Sequence, residues 1–285
     1  MNDFVVKEDI NLQKYTSFKV GGTAKFLVEN VNEHNIENVI KHFHINYQPK
    51  VIGGGTNLLI NDVYFDECII KLSDEGYKFY SNLNIQVSAG MKLSKLLNIL
   101  KKNNCSGLEI LAGVPGTVGG AVFVNAGSKD LGIMEFVERV TIYNIQKGLY
   151  TIEKKDIKYS YRYTNIDGII LNIQFKFMYQ NSEVIKSEMK RNYDKKIKNQ
   201  PVQEKSAGCF FKNPIGKSAG QIIDNLGFKT FSINGAIVSS KHANFILNNG
   251  NAKADDIYQI MLSIQNKVKD VKKIVLEPEV RFWGF

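Results

Sequence analysis

The sequence predicts an α+β fold in two parts, and three observations carry that expectation. Helical and strand periodicities alternate along residues 1–180, the composition changes to a lysine-rich helical segment after Gln180, and 285 residues are long for a single core. With 44% hydrophobic and 23% charged residues, the chain has enough apolar material to bury cores rather than remain disordered.

Ile36, Val39, Ile40 and Phe43 recur at helical spacing, and Pro49 separates them from an apolar strand starting at Val51. Ile69 and Ile70 mark another strand. Ile85, Val87 and Ala89 alternate as a half-buried strand requires, while Leu93, Leu96, Leu97 and Leu100 line one helix face. Strands follow over 139–143, 150–153 and 169–177, with Lys147 and Gly148 as a hairpin turn between the first two. Lys186 to Lys198 reads as one solvated helix with Glu183 and Glu188 interleaved. Ala219, Ile222, Ile223 and Leu226 then form a helical face, Ile237 and residues 245–247 lie in strands, and Ile257, Ile260, Met261, Ile264 and Val268 form a longer helix. The tail from Ile274 to Phe282 reads as a strand at an edge or bulge, because Pro278 has no N–H for the ladder.

The 37 Lys and Arg against 28 Asp and Glu give a net charge of +9, which favours anionic partners. The basic residues are scattered and no groove-reading or base-stacking motif accompanies them, so a nucleic-acid partner is not expected. No stretch reaches the ~18 continuous apolar residues of a membrane span, and Met1 to Asp9 hold acids where a leader needs a basic start. A cytoplasmic protein without a membrane partner is expected, its oligomeric state open and compatible with a monomer. Cys68, Cys105 and Cys209 lack the spacing of a zinc site or a disulfide framework, and His42 with His44 lack acidic partners for a metal.

Two glycine-rich stretches point to chemistry. Residues 51–60 read VIGGGTNLLI, a strand entering three glycines whose missing Cβ atoms let backbone N–H groups approach a phosphate. Neither G-x-G-x-x-G nor a Walker loop is present, and a tight turn between strands is the competing reading. Residues 111–127 read LAGVPGTVGGAVFVNAG and keep Val114, Val118, Val122, Phe123 and Val124 for burial. A surface loop would be polar, so this one is expected to pack against something flat and apolar, as a flavin is.

With these stretches, YTSFKVGG from Tyr15, YSYRYT from Tyr159, SAGCFFKNP from Ser206, HANFILN from His242 and LEPEVRFWG from Leu276 make seven ordered blocks. In them the chain resembles the UDP-N-acetylenolpyruvoylglucosamine reductases (MurB), within the vanillyl-alcohol-oxidase-like, PCMH-type FAD fold. The resemblance implies a FAD-binding domain over residues 1–180, to which 279–285 return, and a smaller α+β substrate domain over 181–278. It implies FAD held by Ile52, Gly53, Gly54, Gly55, Thr56, Asn57 and Leu58, and by Gly113, Val114, Pro115, Gly116, Gly119, Gly120, Asn125 and Gly127. NADPH and a UDP-amino-sugar would take turns at one flavin face. Between Tyr179 and Ser182 there is no room for the tyrosine-bearing loop of one subclass, so the chain looks like the other subclass.

Hydride arriving at the β-carbon of an enol ether leaves negative charge on the α-carbon and its carboxylate. Such a site needs a cation or acid beside the enolate and a proton donor. The resemblance places Arg162, Glu279 and Cys209 in these roles, with Cys209 where many relatives have serine. In an extended segment Tyr161 and Tyr163 would point one way and the Arg162 guanidinium the other, free to pair with a carboxylate. Glu277, Glu279 and Arg281 would share one strand face, and Leu276, Val280 and Phe282 the other. Without the motif, Arg162 reads as a surface arginine and Cys209 as a small buried filler. For the UDP moiety the candidates are Lys196 or Lys198, Lys212, Asn213, His242 and Asn244, with lysine serving as a point charge on the diphosphate. A flavin oxidase of the same superfamily and a basic nucleic-acid-binding module are the competing functions.

Overall fold

A computed structural model describes residues 4–285. Part of the Met1 to Asp9 stretch, residues 1–3, lies outside the described residues. Packing divides the chain into two compact units. One holds residues 4–8, Phe26–Gly54 and Glu67–Lys195; the other holds Asp9–Lys25, Gly55–Asp66 and Lys196–Phe285.

In the first unit, five antiparallel strands are ordered Gly148–Glu153, Val137–Asn144, Ile169–Lys176, Asn84–Ser88 and Tyr77–Ser81. Ile169–Lys176 is central, and its first five residues, Ile169 to Ile173, are all buried, as a strand covered on both faces must be. The helix Leu93–Lys102 buries Leu93, Leu96, Leu97 and Leu100, the face its periodicity foretold. Each leucine removed from water contributes about 1.5–3 kcal/mol. In the hairpin between Asn144 and Gly148, Asn144 Oδ1 accepts the N–H groups of Gln146 and Lys147, and Gly148 takes φ +73°. The strand Lys50–Ile52 pairs in parallel with Tyr64–Lys71, Ile52 opposite Lys71, and runs straight into the first glycine loop.

The second unit has its own core, in which Phe18, Val20 and Leu59 join Phe210, Phe211, Ile257, Ile260, Ile264 and Leu276. Three antiparallel strands, Ser232–Ile233, Ala236–Val238 and Ile246–Asn248, lie with the helices Ala219–Asn225 and Ala254–Lys272. Asp62 secures two distant segments, accepting the Gly21 N–H at 3.0 Å and the Ala254 N–H at 2.8 Å.

The tail departs from expectation. Only Arg281–Trp283 is a strand, paired in parallel with Leu58–Ile60, while Pro278 forms an isolated bridge to Phe211. The alternation survives, with Leu276 and Val280 buried and Glu277 and Arg281 exposed. Continuous pairing stops at Pro278 because proline cannot donate. Its neighbours do the bonding, Glu279 N–H to Phe210 O at 2.8 Å and Lys212 N–H to Glu277 O at 2.9 Å.

Candidate active site

In the first unit the two glycine stretches meet backbone to backbone. A Cβ on Gly53 would lie 2.4 Å from Thr117 Oγ1, and one on Gly54 would lie 2.6 Å from Gly116 Cα. Glycine is required there by space. The second stretch is less loop-like than its composition suggested, since Val118–Phe123 form a short helix capped by Thr117. Val118 and Val122 are fully buried in the unit's own core, while Val114 and Phe123 are half-buried against it. Gly113 and Gly116 take φ values of +76° and +121°, which glycine reaches without a Cβ penalty.

Arg162 is not in an extended segment. Ser160 pairs with Tyr163, so Tyr161 and Arg162 form a two-residue turn between Tyr159–Ser160 and Tyr163–Thr164, with Arg162 at φ +57°. A non-glycine residue there costs about 1–2 kcal/mol. The turn brings the guanidinium onto the Tyr161 ring, Cζ 4.9 Å from its centroid, rather than away from it. Nη1 donates to Gly127 O at 2.9 Å, which ties the arginine to the end of the second glycine stretch.

In the second unit Cys209, Glu279 and Asn57 lie on adjoining segments. Glu279 N–H donates to Phe210 O at 2.8 Å, setting Glu279 beside the residue after Cys209. Asn57 Nδ2 donates to Glu279 O at 3.1 Å, and Arg281 N–H to Asn57 O at 3.0 Å, so the far end of the first glycine loop is fastened along the same strand. Gly55, at φ +63°, leaves no room for a Cβ, which would lie 1.8 Å from Tyr15 O. Cys209 and Glu279 are both half-buried, and Cys209 is in no disulfide.

Several residues expected to face substrate have partners within the protein. Both ends of the Asn244 amide bind the Phe211 backbone, Oδ1 accepting its N–H at 2.9 Å and Nδ2 donating to its carbonyl at 2.8 Å. Asn213 Oδ1 accepts the Ala219 N–H at 2.9 Å at the start of a helix. Lys212 pairs with Glu277. Lys196 and Lys198 occupy the last turn of the helix Ser182–Asn199, the first half-buried and the second exposed. His242 Nδ1 accepts the Asn244 N–H at 3.2 Å, and its ring packs against Phe245. One residue passed over in the sequence is Lys71. It is half-buried opposite Ile52, and its Nζ donates to Leu72 O at 3.1 Å. Burial pulls its ammonium below the ordinary lysine value, with Glu29 opposing and Lys92 adding to the shift. Its strand position, level with the entry to the glycine loop, was the available signal.

Comparison with known proteins decides the family. The C-terminal domain of UDP-N-acetylenolpyruvoylglucosamine reductase matches residues 200–283 and a FAD-binding domain matches residues 24–150. A UDP-N-acetylenolpyruvoylglucosamine reductase from Prochlorococcus marinus is 37% identical over 100% of this chain and 99% of its own length. The chain belongs to the MurB family. A MurB relative from Chlamydia abortus is 35% identical over 98% of this chain and 94% of its own. The crystal structure of MurB from Thermus caldophilus superposes with a TM-score of 0.86 at 31% identity, covering 98% of this chain and 99% of that one. As a MurB oxidoreductase the chain has the α+β, PCMH-type fold its blocks implied, with FAD as cofactor. The residues present fit that cofactor: Gly53 and Gly54, where a Cβ would collide with Thr117 and Gly116, leave bare backbone of the kind a diphosphate can approach.

Two measurable consequences follow for this MurB chain. Asn244→Ala is expected to destabilise it by about 2–4 kcal/mol, because the N–H and C=O of Phe211, itself 1% exposed, lose their partners together. A urea melt checks this, and a loss below about 1 kcal/mol, the net worth of one ordinary hydrogen bond, would show that Phe211 finds other partners. Burial also holds the His242 imidazole below the ordinary histidine value, with Lys229 assisting and Asp224 opposing. The unfolded chain then takes up a proton before the folded one, so this contribution to stability is full above about pH 6.5 and declines as pH falls towards the depressed folded value. Melts across that range are expected to show the decline, and His242→Gln to flatten it; an unchanged slope in the variant would assign the decline to other groups.

Proposed function

We propose that the chain uses NADPH to reduce UDP-N-acetylglucosamine enolpyruvate to UDP-N-acetylmuramate, a cytoplasmic step of peptidoglycan precursor synthesis. The adjacency of the Cys209 segment, Glu279 and Asn57 supports this reading, because backbone hydrogen bonds join the residue after Cys209, Glu279 and the end of the first glycine loop. When bound, FAD supplies hydride transfer to the β-carbon of the enol ether. Cys209 gives its proton to the α-carbon, a role a thiol of ordinary pKa ~8.5 can fill where relatives have serine. Arg162 and Glu279 stabilise the negative charge that develops on the enolate and carboxylate. With FAD bound, the backbones of Gly53, Gly54, Gly55, Gly113, Gly116, Gly119 and Gly120 would hold its diphosphate, and Lys71 would add a positive charge. Residues 181–278 bind the UDP-sugar, with Lys196 or Lys198 as the charge on its diphosphate and Lys212, Asn213, His242 and Asn244 as further candidates to contact it.

The test is an anaerobic visible spectrum of the purified protein. Flavin bands are expected to bleach on NADPH and to recover when UDP-N-acetylglucosamine enolpyruvate is added. Recovery with oxygen but not with that substrate would instead assign an oxidase.

A further inference from the structure

We infer that Asn125 is a positioning residue for Arg162, its amide fastening the second glycine stretch to the turn that carries the guanidinium. The inference rests on the proposed role of Arg162 at the substrate carboxylate. Three alternate residues of the stretch grip the hairpin. Thr164 Oγ1 donates to Phe123 O at 2.8 Å, Asn125 Nδ2 to Ser160 O at 2.9 Å, and Arg162 Nη1 to Gly127 O at 2.9 Å. Ser160 is the foot of the two-residue turn, so a shift of its carbonyl is passed to Arg162 with little chain in between to absorb it.

The amide that holds this foot has little freedom. Asn125 is 7% exposed, and its other end, Oδ1, accepts the Met134 N–H at 3.1 Å. Gly132 closes the space beside it, since a Cβ there would lie 2.0 Å from Asn125 Oδ1. Asn125 itself takes φ +45°, a conformation asparagine tolerates better than most residues. Swapping the amide ends would face Oδ1 to the Ser160 carbonyl and Nδ2 to the Met134 N–H, so the orientation is set by both neighbours. The clamp therefore links the glycine stretch expected to line the cofactor to the arginine proposed to meet the substrate.

Two substitutions break the clamp at different rungs. Asn125→Asp keeps an acceptor for Met134 and replaces the donor to Ser160 O with an oxygen; Thr164→Val removes the hydroxyl at nearly constant volume. Rapid-mixing experiments on the FAD-loaded protein, without oxygen, separate flavin reduction by NADPH from reoxidation by the enolpyruvyl substrate. Positioning predicts that the ratio of reoxidation to reduction rate falls about tenfold or more in either variant, as small misplacements of a reacting group do. It also predicts that adding Asn125→Asp to Arg162→Lys slows reoxidation less than the separate effects combined. Equal slowing of both half-reactions, or full additivity, would reduce Asn125 to a structural residue. Should Asn125→Asp lose FAD, Thr164→Val decides alone. Arg162→Met separates the two layers. If it leaves reoxidation unchanged, the Arg162 role fails and this inference with it; if it slows reoxidation while both clamp variants behave as wild type, only the inference fails.

Discussion

Cys209→Ala is expected to slow reoxidation of the reduced flavin by the enolpyruvyl substrate by about 10²- to 10⁴-fold, the usual worth of a positioned general acid, while reduction by NADPH proceeds near its normal rate. The asymmetry follows from the chemistry, since only the second half-reaction ends with a proton arriving on carbon. Position supports the choice of residue. Phe210 N–H donates to Asn244 O at 2.7 Å and Phe210 O accepts from Glu279, so the residue after Cys209 is held at both its N–H and its C=O. Cys209→Ser is expected to restore most of the lost rate, because a hydroxyl can donate from the same place. Equal slowing of both half-reactions in the alanine variant, or no slowing at all, would remove Cys209 from the reaction.

Gly54→Ala is expected to yield a folded protein that binds FAD about 10- to 100-fold more weakly, because the new methyl overpacks against backbone and forces the glycine stretches apart at a strain of about 1–3 kcal/mol. The collision is with Gly116 Cα at 2.6 Å and Gly116 C at 3.2 Å, neither of which can swing aside as a side chain can. Titration of apoprotein with FAD measures the loss, and far-ultraviolet circular dichroism checks the fold. A variant that purifies fully yellow with unchanged affinity would show that the two stretches do not need this contact.

Where periodicity was strong, the structure agrees with it: Leu93–Lys102 and Ala254–Lys272 bury the whole apolar faces that marked them, while Ile36–His42 and Ala219–Asn225 bury Ile36, Val39, Ile40, Ala219 and Ile223 and leave Phe43, Ile222 and Leu226 half-buried. The turn at Arg162 was not legible, because its strands are two residues each and no glycine or proline marks the left-handed position. Nor could the sequence reveal that Asn125, Asn213 and Asn244 spend their amides on backbone groups. A buried asparagine that holds a strand and one that faces a ligand are written with the same letter.

By itself the sequence determined what depends on local rules and on composition: which segments coil or extend, where Cβ atoms are forbidden, and the ordered blocks that mark the family. Only the tertiary structure decided which distant segments share a core, such as Phe18 and Val20 with Ile257 and Leu276, and which polar side chains are consumed in holding them. Side-chain direction repeats every few residues and can be read along the chain, whereas a hydrogen-bond partner such as Ser160 for Asn125 exists only once the chain has closed on itself.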